Sequence, residues 1–249
     1  MEVRLDLHIH SERSFDGCMG LDKIVALARA RGLNGAAVCD HDRTLDSLPR
    51  YDNFLLIPAT EISTERGHLL GLFVTEPIRT RRFAEAADAI RAQGGLAVMA
   101  HPFEHSTDVH RLDDVMDRLD GIEAFNSRAD RKNRSANAMA LALAKRCGKP
   151  VTAGSDAHLP EEVGGGVTVL DVPELTLDAV RAALVHGAER LEGRRGRAMC
   201  AARSQKIKRE KTKAGAKSRV KGMLFTAKCA LQDIITKEDG WHVIAGQDR

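Results

Sequence analysis

The chain opens on strict alternation. Val3, Leu5, Leu7 and Ile9 are apolar, and Arg4, Asp6, His8 and His10 fill the positions between and after them. A two-residue period is that of a strand. From Leu21 the period becomes helical, with Leu21, Ile24, Val25, Leu27 and Ala28 on one stripe and Gly32 as its stop. Residues 34–40 then read as a buried parallel strand ending in a carboxylate, residues 53–61 repeat that pattern up to Glu61, and residues 67–74 read as another extended piece. A helix over 81–95 is closed by Gly94, and a strand over 96–101 ends at His101. A helical stretch over 111–119, a strand over 121–126 and a helix over 134–148 closed by Gly148 follow. The strand over 150–158 carries Asp156 and His158, and a last strand (166–172) leads to a last helix (176–187) with Thr176 as its N-cap.

Strands alternating with helices predict βα units and a mostly parallel sheet. With about seven units, a barrel suits the chain better than an open sheet. In such folds the active site lies at the C-terminal ends of the strands, and that is where the polar residues recur. After Gly193 the pattern breaks. Residues 192–222 are basic with few large apolar side chains, and Leu224, Ala227, Leu231, Ile234 and Ile235 then restore a helical stripe. We therefore divide the chain into 1–193, an α/β domain, and 194–249, a basic extension with an amphipathic helix.

Charge sharpens that division. Residues 194–249 carry 15 basic and 5 acidic side chains, so a strongly basic extension is joined to an acidic body, although the whole chain is only +3. The extension has three readings: a solvated, partly disordered segment over Arg194 to Gly222, a contact for nucleic-acid phosphates, or a helix docked on the barrel or on a second subunit. Aromatics at 4% leave few platforms for stacking bases. Five cysteines without a C-x-x-C pair argue against disulfides or a thiolate zinc site and for a reducing, cytoplasmic setting. Arg4, Asp6 and His8 come too early for a secretion signal, and no run of about 18 apolar residues predicts a membrane span.

The chemistry is concentrated in a few short motifs. Residues two apart on a strand share a face, so Asp6, His8 and His10 point one way, as do Asp156 and His158. To these add Asp16, His41, Glu61, His68 and His101, each at a strand end or just beyond. A lone histidine there is usually an ordinary polar residue. Burying so many ionisable groups together without a cation is costly, and the set gains its specificity from that. Imidazole with carboxylate suits Zn²⁺, Mn²⁺ or Fe²⁺. Phosphate chemistry also needs cationic donors. Arg128, Arg43 and Arg13 lie just after strand ends and are the candidates for substrate binding, Arg128 first. The glycines 164–166 lack the following Lys-Ser/Thr of a phosphate loop and read as a flexible turn.

Together "DLHIHS" (6–11), "DHD" (40–42), Glu61 after its strand, "AHP" (100–102) and "GSDAH" (154–158) resemble the PHP (polymerase and histidinol phosphatase) domain family over residues 1–190. The likeness is greatest to its stand-alone phosphoesterases. Asp16 stands where the histidinol phosphatase branch tends to carry a histidine. The resemblance implies a distorted (β/α)7 barrel with two to three divalent ions: Mn, Zn or Fe, with Mg also tolerated. It implies His8, His10, Glu61 and Asp156 for a first metal, Glu61, His68 and His101 for a second, and Asp16, His41 and His158 for a third. Asp6 and Asp40 would orient histidine rings. The implied reaction is attack on phosphorus by a hydroxide shared between two metals, with Asp156, Glu61 and His101 catalytic. The implied substrate is a phosphorylated small molecule, a nucleotide (a 3′,5′-bisphosphate) or a nucleic acid 5′ end cut exonucleolytically. Two alternatives remain: a histidinol-phosphatase-like enzyme, and a non-catalytic module binding nucleic acid through residues 194–249. A third, an amidohydrolase, ranks below these because the predicted strands contain no internal lysine to carboxylate.

Overall fold

The computed structural model describes residues 1–45, 47–236 and 240–245. Strand β1 (Glu2–Ile9) lies mid-sheet, parallel to β2 (Gly35–Val38), which is parallel to β3 (Leu55–Thr64). The extended piece predicted over 67–74 is β4 (Gly67–Leu72), and it runs antiparallel to both β3 and β5 (Leu96–Met99). Parallel pairing resumes through β6 (Gly121–Asn126) and β7 (Val151–Gly154). The mostly parallel sheet expected from the alternation is thus interrupted, because a hairpin replaces one crossover helix. The sheet curls until β7 returns beside β1. His10 N–H donates to Ala157 O at 2.8 Å and Ala157 N–H to His8 O at 3.3 Å. The result is a distorted barrel. Three further strands, β8 (Gly166–Asp171), β9 (Arg190–Gly193) and β10 (His242–Ala245), extend the sheet antiparallel beyond β1.

Two glycines make the closure. A Cβ on Gly154 would sit 2.4 Å from that of His8, and one on Gly166 would sit 2.2 Å from the carbonyl oxygen of Gly154. Residues 164–166 are therefore a tight, buried crossing and not the flexible turn their composition predicts. Both faces of β1 are covered: Leu5, Leu7 and Ile9 are buried, and so are Asp6, His8 and His10. Alternation on this strand marks two chemistries under cover, and from Leu5 to Ile9 neither face meets solvent.

Helices α1 (Leu21–Ala30), α2 (Phe83–Ala92), α3 (Ala129–Lys132), α4 (Ala136–Cys147) and α5 (Leu177–His186) surround the sheet. The extension is more ordered than its charge predicts. Residues expected to be solvated form α6 (Ala198–Lys211) and the start of α7 (Ala216–Ile235), with Ala198, Cys200, Ala201, Ala202 and Ser204 buried. The expected amphipathic helix exists as α7, yet its apolar stripe faces outward: Leu224 is 69% exposed, Leu231 57% and Ile234 80%. Phe225 and Cys229 meet α6 instead, through Ala198, Ala202 and Met199, and Gly222 lies against Arg209 of α6. Small side chains let the two helices approach closely, and that fit sets the phase of the helix. Among the described residues no helix is long and apolar enough to cross a membrane.

Candidate metal centre

All nine residues expected from the sequence as metal ligands meet at one end of the barrel. His8 and His10 come from the end of β1, Glu61 from β3, His68 from β4, His101 from just after β5, and Asp156 and His158 from just after β7. Asp16 and His41 come from the loops after β1 and β2. His101 and Asp156 have positive φ, +26° and +55°, a conformation that costs free energy and persists only where surroundings enforce it. Each sits where its strand must turn sharply to keep its side chain over the mouth.

Glu61 is the hub. Its Oε1 lies 2.8 Å from His68 Nδ1, 3.0 Å from His101 Nε2 and 3.6 Å from His8 Nε2, and its Oε2 lies 2.9 Å from His41 Nδ1 and 3.4 Å from His10 Nε2. His8 and His10 face each other Nε2 to Nε2 at 3.2 Å, and Asp156 Oδ1 is 3.3 Å from His10 Nε2. Asp16 reaches His158 Nε2 at 3.3 Å and His41 Nε2 at 3.6 Å. Three groups have all their donor atoms within 4.8 Å of one another: His10 with Asp16, His41 and His158; His8 with His10 and Asp156; and His8 with Glu61 and His101. His68, 36% exposed, touches Glu61 but belongs to none of the three.

These donors fit metal cations. Asp16 Oδ1, Glu61 Oε2, His41 Nδ1 and His68 Nδ1 are buried yet lack a well-aligned hydrogen bond, a costly state that a shared cation relieves. Burial opposes charge throughout, yet the facing partners overrule it. Glu123, Asp156 and Glu61 hold His8 well above the ordinary imidazole range. Glu61 and Asp16 hold His41 up to about 10, and Glu61 and Glu104 hold His101 up to about 9. Burial would raise Glu61 and Asp156, but facing imidazoles keep both well below the usual carboxylate range. Burial together with His158 and His41 pushes His10 well down. Acids are thus ionised and several imidazoles protonated, so cations entering the site must displace protons.

Supporting residues differ from those expected. The ring of His8 is oriented by Glu123, whose Oε1 meets His8 Nδ1 at 2.9 Å while its Oε2 accepts from His101 N–H at 2.9 Å and Asn126 Nδ2 at 3.0 Å. Sequence reading passed over Glu123; its one signal was a carboxylate inside the apolar run "GIEAFN". Asp6 touches no ring. It accepts backbone N–H groups from His8 (3.3 Å), Ser155 (2.9 Å) and Gly164 (2.7 Å), tying β1 to the closure, and burial raises it to about 6. Asp40 likewise holds Ser11, through N–H at 2.7 Å and Oγ at 2.5 Å, and not His41. Replacing Glu123 by Ala is expected to weaken Mn²⁺ binding 10- to 100-fold, measured by titration calorimetry on metal-free protein. Unchanged affinity would reduce Glu123 to a structural tie.

A cavity of about 1000 Å³ lies over the centre. Arg128 lines it, but its guanidinium is engaged: Nε and Nη2 meet Glu162 at 2.7 and 2.6 Å, and Nη1 meets Ser204 Oγ at 3.2 Å. Arg13 and Arg43, expected from the sequence to bind substrate, do not line it. At Arg43 the cause is local: Asp42 takes a positive φ, turning His41 inward and leaving Arg43 exposed. The cations over the mouth come instead from α3, α6 and α7: Arg131, Lys132, Lys208, Arg209, Lys221 and Lys228. Helix α6 also grips the loop that carries Asp16. Lys211 Nζ donates to the carbonyls of Glu12, Ser14 and Gly17 at 2.6, 2.8 and 2.9 Å. Lys208 sits 4.3 Å over the ring of Phe15, which stacks on His41.

Comparison with known proteins places this geometry. The family model PHP_C, described as PHP-associated, matches residues 134–189. The uncharacterized protein MJ0417 of Methanocaldococcus jannaschii is 32% identical over 170 residues, covering 65% of this chain and 68% of that one. Among solved structures, a two-domain protein from Bacteroides vulgatus containing a predicted PHP-like metal-dependent phosphoesterase superposes with a TM-score of 0.57 at 19% identity, over 83% of this chain and 70% of that one. The lesion-specific endonuclease PfuEndoQ from Pyrococcus furiosus also gives 0.57, at 20% identity, over 80% of this chain and 60% of that one.

Proposed function

Because this chain belongs to the PHP (polymerase and histidinol phosphatase) family, we propose that it is a metal-dependent phosphoesterase hydrolysing phosphate esters of nucleotides or of nucleic acid 5′ ends. The observation that carries the reading is the convergence of nine imidazoles and carboxylates, with Glu61 as their hub, beneath one open cavity that seven of them line. Residues 1–193 would be the catalytic unit, and residues 194–249 an extension covering its mouth. Three groups of residues would hold divalent ions (Mn²⁺, Zn²⁺ or Fe²⁺, with Mg²⁺ a weaker match to so many imidazoles): His8, His10, Glu61 and Asp156; Glu61, His68 and His101; and Asp16, His41 and His158. Bound there, two such ions supply Lewis acidity and a water of lowered pKa.

The chain's own groups do the rest. Glu61 fixes five imidazoles at once and so sets where the donors stand. His101 presents Nε2 to the centre, 3.0 Å from Glu61 Oε1, while its Nδ1 faces Glu104 at 3.6 Å. Asp156 turns Oδ1 toward His8, His10 and His158; it or a neighbouring histidine would take the proton of an attacking water. A lesion-specific endonuclease among the structural relatives and the cationic wall of the cavity support a nucleic-acid or nucleotide substrate over a neutral phosphate ester.

The test is phosphate or nucleotide release by Mn²⁺-loaded protein from a 3′,5′-bisphosphonucleotide, a 5′-phosphorylated oligonucleotide and histidinol phosphate. Turnover is expected on one of the first two, and it should vanish with chelator and return with Mn²⁺. Chelator-insensitive turnover overturns the mechanism. Preference for histidinol phosphate moves the enzyme to the small-molecule branch.

A further inference from the structure

The two walls of the cavity are unlike. The floor, from the barrel, carries Asp16, Glu61, Glu104 and Asp156. The roof, from α6 and α7, carries Lys208, Arg209, Lys221 and Lys228 and no carboxylate. Arg131 joins them from α3. Lys132 is neutralised by Glu104 at 3.5 Å and Arg128 by Glu162. Among the described residues the four roof cations and Arg131 have no carboxylate partner, and Arg131 Nε is buried without a hydrogen bond. Like charges gathered on one wall repel one another, and an anion between them removes that cost.

The layout also says which kind of anion. Lys221 and Lys228 are separated by two turns of α7, about 10 Å along its axis, so the roof presents its charge along a line and not at one point. The cavity, about 1000 Å³, is at the upper end of what encloses one drug-sized ligand. It has room for a few nucleotides of single strand.

We propose that the space between the barrel mouth and α6–α7 is a subsite for a single-stranded phosphodiester chain. The end of the strand lies over the floor, and its following phosphates lie on Arg131, Lys208, Lys221 and Lys228. Which phosphate is cleaved rests on the phosphoesterase reading; the subsite itself does not. The roof offers one phenylalanine, Phe225, so affinity comes from charge more than from stacking, and dependence on base sequence is weak.

The roof can be tested without the metals. The full chain, in chelator, is titrated into a fluorescent oligothymidylate with an unphosphorylated 5′ end across a salt series. Log affinity should fall against log salt by about 0.7 per phosphate held. Lys221→Ala combined with Lys228→Ala should weaken binding about tenfold at low salt and flatten the slope by about 1.4. Both lysines are exposed, so the variant should keep the parental melting temperature. Should it melt early, Lys208→Ala alone, expected to flatten the slope by about 0.7, decides. Parental affinity and slope in the variant, or a hairpin duplex bound as tightly as the single strand, overturns the proposal. So does thymidine monophosphate competing as well as the oligomer. Mn²⁺-dependent hydrolysis of p-nitrophenyl phosphate by the parental chain reports on the phosphoesterase reading separately.

Discussion

Glu61→Gln is expected to lower metal-dependent turnover about a thousandfold while leaving the barrel folded. Metal-borne charge stabilisation is worth several kcal/mol, and at 1.36 kcal/mol per tenfold about 4 kcal/mol gives that factor. No other side chain in the centre lies within 3.6 Å of five imidazoles. An amide removes the charge that holds several of those rings. It also turns an NH₂ donor toward either the His41 and His10 side or the His68, His101 and His8 side. Steady-state rates on the preferred substrate, with bound metal counted by mass spectrometry, check this. Turnover within tenfold of the parent would show that Glu61 organises histidines without serving the reaction.

Glu162→Ala is expected to cost about 3–5 kcal/mol of folding stability, because it strands Arg128 as a buried, unpaired charge. The pair is bidentate, with side-chain exposures of 11% for Arg128 and 4% for Glu162. Glu162 Oε2 also accepts the backbone N–H groups of His158 and Leu159, both at 3.1 Å, so its loss loosens a candidate ligand as well. Urea unfolding measures the change. Replacing both partners, Arg128→Met with Glu162→Leu, should recover the part due to the stranded charge but not the part due to the two N–H groups left without an acceptor. A single-variant loss below about 1 kcal/mol would mean water reaches the pair.

The nine site residues were legible because metal chemistry restricts residue type and strand periodicity restricts direction: His8 and His10 two apart, Asp156 and His158 two apart. Glu123 was not legible, since a lone carboxylate in an apolar strand does not announce its partner. Asp6 and Asp40 were read as ring-orienting groups, yet both hold backbone. Motif spacing shows that a carboxylate is near a histidine but not which of its atoms it meets. The barrel followed from alternating periods, whereas the antiparallel sense of β4 did not, because an extended run carries no direction. On α7 the stripe at Leu224, Leu231 and Ile234 shows which residues favour burial, while the docked face was decided by the close fit of Gly222 and Cys229 against α6. Arg13 and Arg43 lie outside the cavity lining, a placement that their position after a strand does not specify.

The return of β7 beside β1 fixes the order in which the protein can acquire its chemistry. His8 and His10 emerge early in synthesis, but the Asp156 and His158 they face follow about 150 residues later, a wait of about 8–30 s at ribosomal speeds of about 5–20 residues per second. Until then β1 lacks its β8 neighbour, and a nascent chain offers cations only scattered histidines. Long-range pairings of this kind close slowly. The centre is therefore a late product of folding, and metal capture should follow the closure of β7 beside β1.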